Sequence, residues 1–168
     1  MHLVHRLSAV ILTLGLSASL VGCGFHLTGV GPNATPIAYQ HMQLNLPTEA
    51  KRLGDKLTIY LTGSGVKFDK APNAYTLRVL DYTYRRQKLS GRVAEVILHL
   101  NVTFQIEDRQ GRPVTQPRTI AGVKNYQYNV ATVNVDDNEE EYLVDLLIDD
   151  VAQQMTRQIS SNRLPAAN

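Results

Sequence analysis

Ala94-Glu95-Val96-Ile97-Leu98-His99-Leu100-Asn101-Val102-Thr103-Phe104-Gln105-Ile106 carries an apolar residue at every even position. The odd positions hold Glu95, His99, Asn101, Thr103 and Gln105, with Ile97 and the preceding Val93 as apolar members. Alternation of period two is the signature of a strand with one buried face. With Val93 included, the stretch at ~3.4 Å per residue predicts a strand of ~48 Å, far longer than the usual ~17–20 Å. A ribbon of that length with one greasy side needs a cover.

The neighbouring segments supply partners and cover. Before it, residues 74–88 read as a strand with Tyr75, Leu77 and Val79 on one face, after which Leu80, Tyr82 and Tyr84 fall into a different phase. One extra residue near Val79–Leu80, a bulge, reconciles the two halves. Ser90-Gly91 suits the tight turn between the two strands. After it, Asp108 to Pro113 reads as a turn, and residues 118–131 as a strand carrying Ile120, Tyr126, Tyr128 and Val130. Then Leu143, Leu147, Val151 and Met155 recur at helical spacing, flanked by Leu146, Ile148 and Ile159, which predicts an amphipathic helix to about Ser160. Asp136-Asp137-Asn138 offers N-capping side chains, and Glu139, Glu140 and Glu141 set negative charge on the positive end of the helix dipole.

Further towards the N-terminus, Met42, Leu44 and Leu46 alternate as a first strand. Pro47-Thr48 signals a helix start with Thr48 as N-cap, followed by a stripe of Leu53, Leu57, Tyr60 and Leu61 that Gly63-Ser64-Gly65 ends. The order is β-α-β-β-β-α. It predicts an α+β fold in which two helices lie on one face of a four-stranded, mostly antiparallel sheet.

The first residues are of another kind. Arg6 precedes a run from Leu7 to Gly22 that holds no charged residue, and Leu20-Val21-Gly22-Cys23 closes it with the only cysteine of the chain. Sixteen helical residues span ~24 Å, short of a ~30 Å hydrocarbon core. The pattern is that of a secretory signal, and with Cys23 it resembles the bacterial lipoprotein signal, in which that thiol receives a diacylglycerol. Residues 1–22 are then a signal peptide that is removed. Cys23 is the lipidation site, and several acyl chains (palmitate among them) would hold the protein durably on a membrane. The plainer alternative is an ordinary signal peptide followed by a free cysteine. Residues 23–39, rich in Gly, Pro and Thr, read as a tether reaching up to ~50 Å. Residues 40–162 form one α+β domain, with a short C-terminal tail at 163–168.

With one cysteine, no disulfide can close within the chain, and four-cysteine or cysteine–histidine metal sites are excluded. The formal charge of +2 falls by one unit when Arg6 leaves, yet the charge is segregated. Residues 85–92 hold Arg85, Arg86, Lys88 and Arg92 without an acid. Residues 136–150 hold eight acids without a base. The acids lack the alternating ligands and turn glycine of a calcium loop. Dipole complementation with a solvated face explains them, and an acidic docking surface is the alternative. None of the five histidines (His2, His5, His26, His41, His99) has a neighbour completing a catalytic pattern, so no catalytic residue, metal or cofactor is expected beyond the lipid on Cys23. Four cations at a hairpin tip, with Tyr82 and Tyr84 behind them, suit phosphorylated headgroups, because arginine grips phosphate through paired donors. A solvated tip that guards a sheet edge is the plainer reading.

Cys23-Gly24-Phe25-His26-Leu27-Thr28-Gly29 resembles the opening of the lipopolysaccharide-assembly lipoprotein family, LptE, with threonine at 28 where arginine is common. Gly91-x-x-Ala94-Glu95 and Asp137-Asn138-Glu139 resemble two internal segments of that family, in the right order. The resemblance implies a non-enzymatic outer-membrane lipoprotein facing the periplasm. It implies that the protein plugs and helps assemble the β-barrel subunit of the lipopolysaccharide translocon (LptD-like), and that it binds lipopolysaccharide. Candidate ligands for it are Arg85, Arg86, Lys88 and Arg92. Leu89, two before Gly91, and Asp136 stand where relatives can carry basic residues, so the basic character of the hairpin is carried over rather than any one ligand. Nucleic acid is not an expected partner. A pilotin-like or chaperone lipoprotein escorting another outer-membrane assembly is the alternative, and a lipid-anchored hydrolase is a remote third.

Overall fold

A computed structural model describes residues 39–89, 93–129, 136–161 and 163–167. The elements are β1 (His41–Asn45), α1 (Lys51–Gly63), β2 (Lys67–Phe68), β3 (Tyr75–Leu89), β4 (Val93–Glu107), β5 (Arg118–Asn129) and α2 (Asp136–Ser160). The signal, Cys23, the tether as far as residue 38, the Ser90-Gly91 turn and Arg92 lie outside the described residues.

The α+β class holds, with two corrections. The sheet has five strands in the order β2-β1-β3-β4-β5, not four. It is also mixed, because β1 runs parallel to both β2 and β3. The missed strand is two residues long, too short to display a period. The parallel pairing follows from α1, which carries the chain back along the sheet before β3 begins, as a crossover does.

The β3–β4 hairpin is the spine. Its pairing runs from Thr76↔Glu107 to Leu89↔Glu95, with a register shift between Val79 and Asp81 that leaves Leu80 as the extra residue. The bulge brings both halves of β3 into one phase: Leu77 and Val79 face inward before it, and Tyr82, Tyr84, Arg86 and Lys88 after it. On β4, Val96, Leu98, Leu100, Val102, Phe104 and Ile106 are all completely buried. They meet Leu53, Leu57 and Leu61 of α1 and Leu147, Val151, Met155 and Ile159 of α2, which share one core. A fully buried aliphatic side chain contributes ~1.5–3 kcal/mol by leaving water, so this double helix-on-sheet contact carries the fold.

α1 does not begin on a Thr48 cap. Thr48–Ala50 is a 3₁₀ turn preceded by an extended Pro47, and Ala50 N–H donates to the Pro47 carbonyl at 3.0 Å. Past the Ser64 cap the chain leaves the helix at Gly65, whose φ of +94° is the left-handed conformation that glycine adopts freely. Beyond it Val66 N–H donates back to the Leu61 carbonyl at 3.0 Å, and the Val66 side chain is buried.

The two helices run parallel. Arg52 reaches Asp145 at 3.0 Å and Lys56 reaches Asp145 at 3.0 Å and Asp149 at 3.4 Å. One step further along both helices, Tyr60 O–H donates to Asp149 at 2.5 Å. Parallel neighbours align their dipoles unfavourably, and this ladder of opposite charges offsets that. α2 also ties to β5 through Lys124–Asp150. After Ser160 the chain folds back: Leu164 is buried, and Ala166 bridges Thr115 in the loop between β4 and β5.

Candidate functional site

The predicted basic cluster sits where β3 approaches its turn, and the bulge decides how it is arranged. Arg85 pairs with His99, Arg86 with Leu98, Gln87 with Ile97 and Lys88 with Val96. Side chains alternate across a strand. Arg86 and Lys88 therefore belong to the helix-bearing face, in phase with buried Leu98 and Val96, while Arg85 belongs to the opposite, open face beside His99. The expectation of four cations concentrated at one tip is corrected in this respect: the three described ones are divided between two faces.

Arg85, Arg86, Gln87, Lys88, His99 and Asn101 line a cleft of about 740 Å³, so residues of both faces of β3 border it. The outer edge of the sheet beside it is made of Ala121, Val123 and Asn125 of β5, all exposed. The open face presents one fixed cation, Arg85, beside the polar side chains of His99 and Asn101 and the exposed Val123.

The helix side is more constrained. Arg86 Nε donates to both oxygens of Glu140 in the first turns of α2, each at 2.9 Å. The Tyr126 O–H of β5 donates to the same carboxylate at 2.6 Å. Burial first, and then its bond to Glu140, push the Tyr126 phenol up to about 12. The bond to Glu140 likewise holds the Arg86 guanidinium above its ordinary value. Beside this trio lie the rings of Tyr82, half-buried, and Tyr84, exposed. Burial raises both phenols. The result is an aromatic and cationic ledge that the helices leave partly uncovered.

Of the six acids of the run whose side chains are described, four are bonded inside the molecule. Asp145 and Asp149 serve α1, Asp150 serves Lys124, and Glu140 serves Arg86 and Tyr126. Glu139 and Glu141 are exposed. Sequence reading placed dipole complementation there but missed that four of these acids are counter-ions to partners far along the chain. It missed Glu140 and Tyr126 as members of the site for the same reason, since Arg86 and Glu140 are separated by 54 residues.

Of the histidines, His41 Nδ1 contacts Asp69 at 2.9 Å, joining β1 to the turn after β2, and His99 lines the cleft. Among the described residues no group of His, Cys, Asp and Glu could hold a metal ion, and no helix is long and apolar enough to cross a membrane.

A family model for lipopolysaccharide assembly, LptE, matches residues 39–159, from two residues before β1 almost to the end of α2. The chain belongs to the LptE family. LptE is a family of non-enzymatic lipopolysaccharide-assembly lipoproteins, and membership supports that role here. Among solved structures, a minor lipoprotein from Acinetobacter baumannii is 52% identical, with a TM-score of 0.75 over 79% of this chain and 99% of that one. Rare lipoprotein B from Shewanella oneidensis is 25% identical, with a TM-score of 0.60 over 73% of this chain and 96% of that one. Lipoprotein B from Nitrosomonas europaea, at 20% identity and a TM-score of 0.58 over 83% and 92%, shares the fold. No curated protein sequence matches the chain. The LptE match takes in the whole β3–β4 hairpin, so the basic segment is part of the family domain and not an appendage to it.

Proposed function

We propose that this protein is an outer-membrane lipoprotein, anchored through lipid on Cys23 after removal of residues 1–22. Its domain partners the β-barrel of the lipopolysaccharide translocon and binds lipopolysaccharide at the 85–92 hairpin. The observation that carries this reading is the LptE match over residues 39–159. Residues 23–39 are the tether, 40–162 the domain, and 163–168 the tail that folds back on it. The mechanism is binding. Cationic side chains at the hairpin compete with other counter-ions for the phosphates of the glycolipid, while the two tyrosines offer apolar surface to its sugars and chains. Arginine suits this chemistry because its planar fork matches two phosphate oxygens at once.

The division of the cations between faces gives the test its resolution. Arg85→Glu alters the open face, and Arg86→Glu with Lys88→Glu alters the helix face. If the hairpin is the site, at least one of these variants weakens lipopolysaccharide binding about ten-fold or more at low salt, the scale of one lost charged contact. The loss should shrink as ionic strength rises. Unchanged affinity in both, and in the quadruple change that adds Arg92→Glu, would remove lipopolysaccharide recognition from this hairpin.

A further inference from the structure

Arg86, one of the hairpin cations, has a strong internal partner in Glu140. Glu140 takes its Nε with both carboxylate oxygens and takes the Tyr126 hydroxyl as well. The Glu140 side chain is 23% exposed and that of Arg86 43%, so the pair is shielded without being sealed. Both oxygens of Glu140 share the one Nε–H of Arg86, a charge-assisted contact on the edge of the guanidinium for which a phosphate oxygen would compete. Glu140 lies in the first turns of α2, and its bonds to Arg86 on β3 and Tyr126 on β5 pin that end of the helix to the sheet.

We propose that Glu140 is an internal surrogate for the phosphate of the ligand, a latch that a phosphorylated headgroup must displace from Arg86 and whose release frees the start of α2. This rests on the reading that the hairpin binds lipopolysaccharide. Displacement would set the affinity below what the bare cations could give. It would also couple binding at the hairpin to the helix that covers the core.

The test uses the full-length lipidated protein in detergent, with purified lipopolysaccharide as the probe. Affinities are measured for wild type, Glu140→Gln, Arg86→Ala and the double variant, with Glu139→Gln and Glu141→Gln as neighbours of equal charge change. Glutamine keeps an acceptor for Tyr126, and thermal melting checks the fold. Glu140→Gln should tighten binding about five- to ten-fold, within the range of one lost competing contact. The tightening should vanish in the Arg86→Ala background and be absent from both neighbours. Binding to wild type should also speed amide hydrogen exchange at residues 140–143. Tightening that persists without Arg86, or that Glu139→Gln reproduces, would mean bulk charge and overturn the latch. So would wild-type exchange that ligand leaves unchanged. Should the change of Arg85, Arg86, Lys88 and Arg92 together to Glu leave wild-type affinity intact, the hairpin reading itself fails, a result distinct from a hairpin that binds without a latch.

Discussion

Gly122 shows how single atoms decide the join between β5 and α2. A Cβ built there would lie 2.7 Å from Leu147 Cδ1 and 3.0 Å from Val151 Cγ2. Both neighbours are buried core residues of α2, held from behind by the rest of the helix. Neither can swing into solvent, so an added methyl must push the helix away from the strand. Gly122→Ala is therefore expected to lower stability by ~1–3 kcal/mol, the usual cost of overpacking a tight interior. Urea denaturation would read this as a lower midpoint at unchanged slope. No special backbone conformation is required at this residue; the constraint is the closeness of the helix.

At the level of elements, the parallel helix pair should make stability pH-dependent. Asp149 is held below its ordinary value of 3.8, first by the Tyr60 hydroxyl and then by Gln153 and Lys56, against the opposing effect of burial. Asp145 is lowered by Lys56 and Arg52. A carboxylate depressed in the folded state contributes stability above its unfolded value and loses it as pH falls through the folded one. Asp149→Asn is expected to cost about 1–2 kcal/mol near neutral pH, the range for a charged, partly shielded hydrogen-bonded group. That difference should shrink steadily below about pH 4, as the wild-type carboxyl takes up its own proton. Paired denaturation curves at pH 7 and pH 3 would check it, and an equal difference at both would refute the ladder's role. The same elements show what a sequence can and cannot carry. β4 and α2 were legible because their apolar residues repeat over many residues, at periods that only one geometry satisfies. β2 was not, being the two residues Lys67–Phe68 with no pattern to repeat. The bulge at Leu80 was visible as a slip in alternation, and counting on from it through Tyr82 and Tyr84 sets Arg86 inward and Arg85 outward. The partner of Arg86 was not visible, because nothing near Glu140 records which strand it will meet. Thr48 looked like a cap by its chemistry, but Pro47 already fixes an extended backbone and the chain passes through a 3₁₀ turn first.

For the whole molecule, partnership with a barrel is a statement about mass. The protein extracted gently in detergent should co-purify with a far larger outer-membrane protein and resist separation at moderate salt. Migration at the mass of a single processed chain would count against the plug reading. The hairpin also gives the domain a direction. Tyr39 packs its ring edge-on against Tyr75 at 5.5 Å, at the first residue of β3, while Leu89 lies at the other end of the same strand. At ~3.3 Å per residue the two are separated by about 45 Å. The start and finish of the domain share one pole, since Ala166 also bridges near that end through Thr115. A leash of residues 23–39 fixed in a bilayer would thus hold the molecule by its foot. The arginine-bearing crest would then stand up to about 95 Å from the anchor, more than twice the ~40–45 Å thickness of a bilayer.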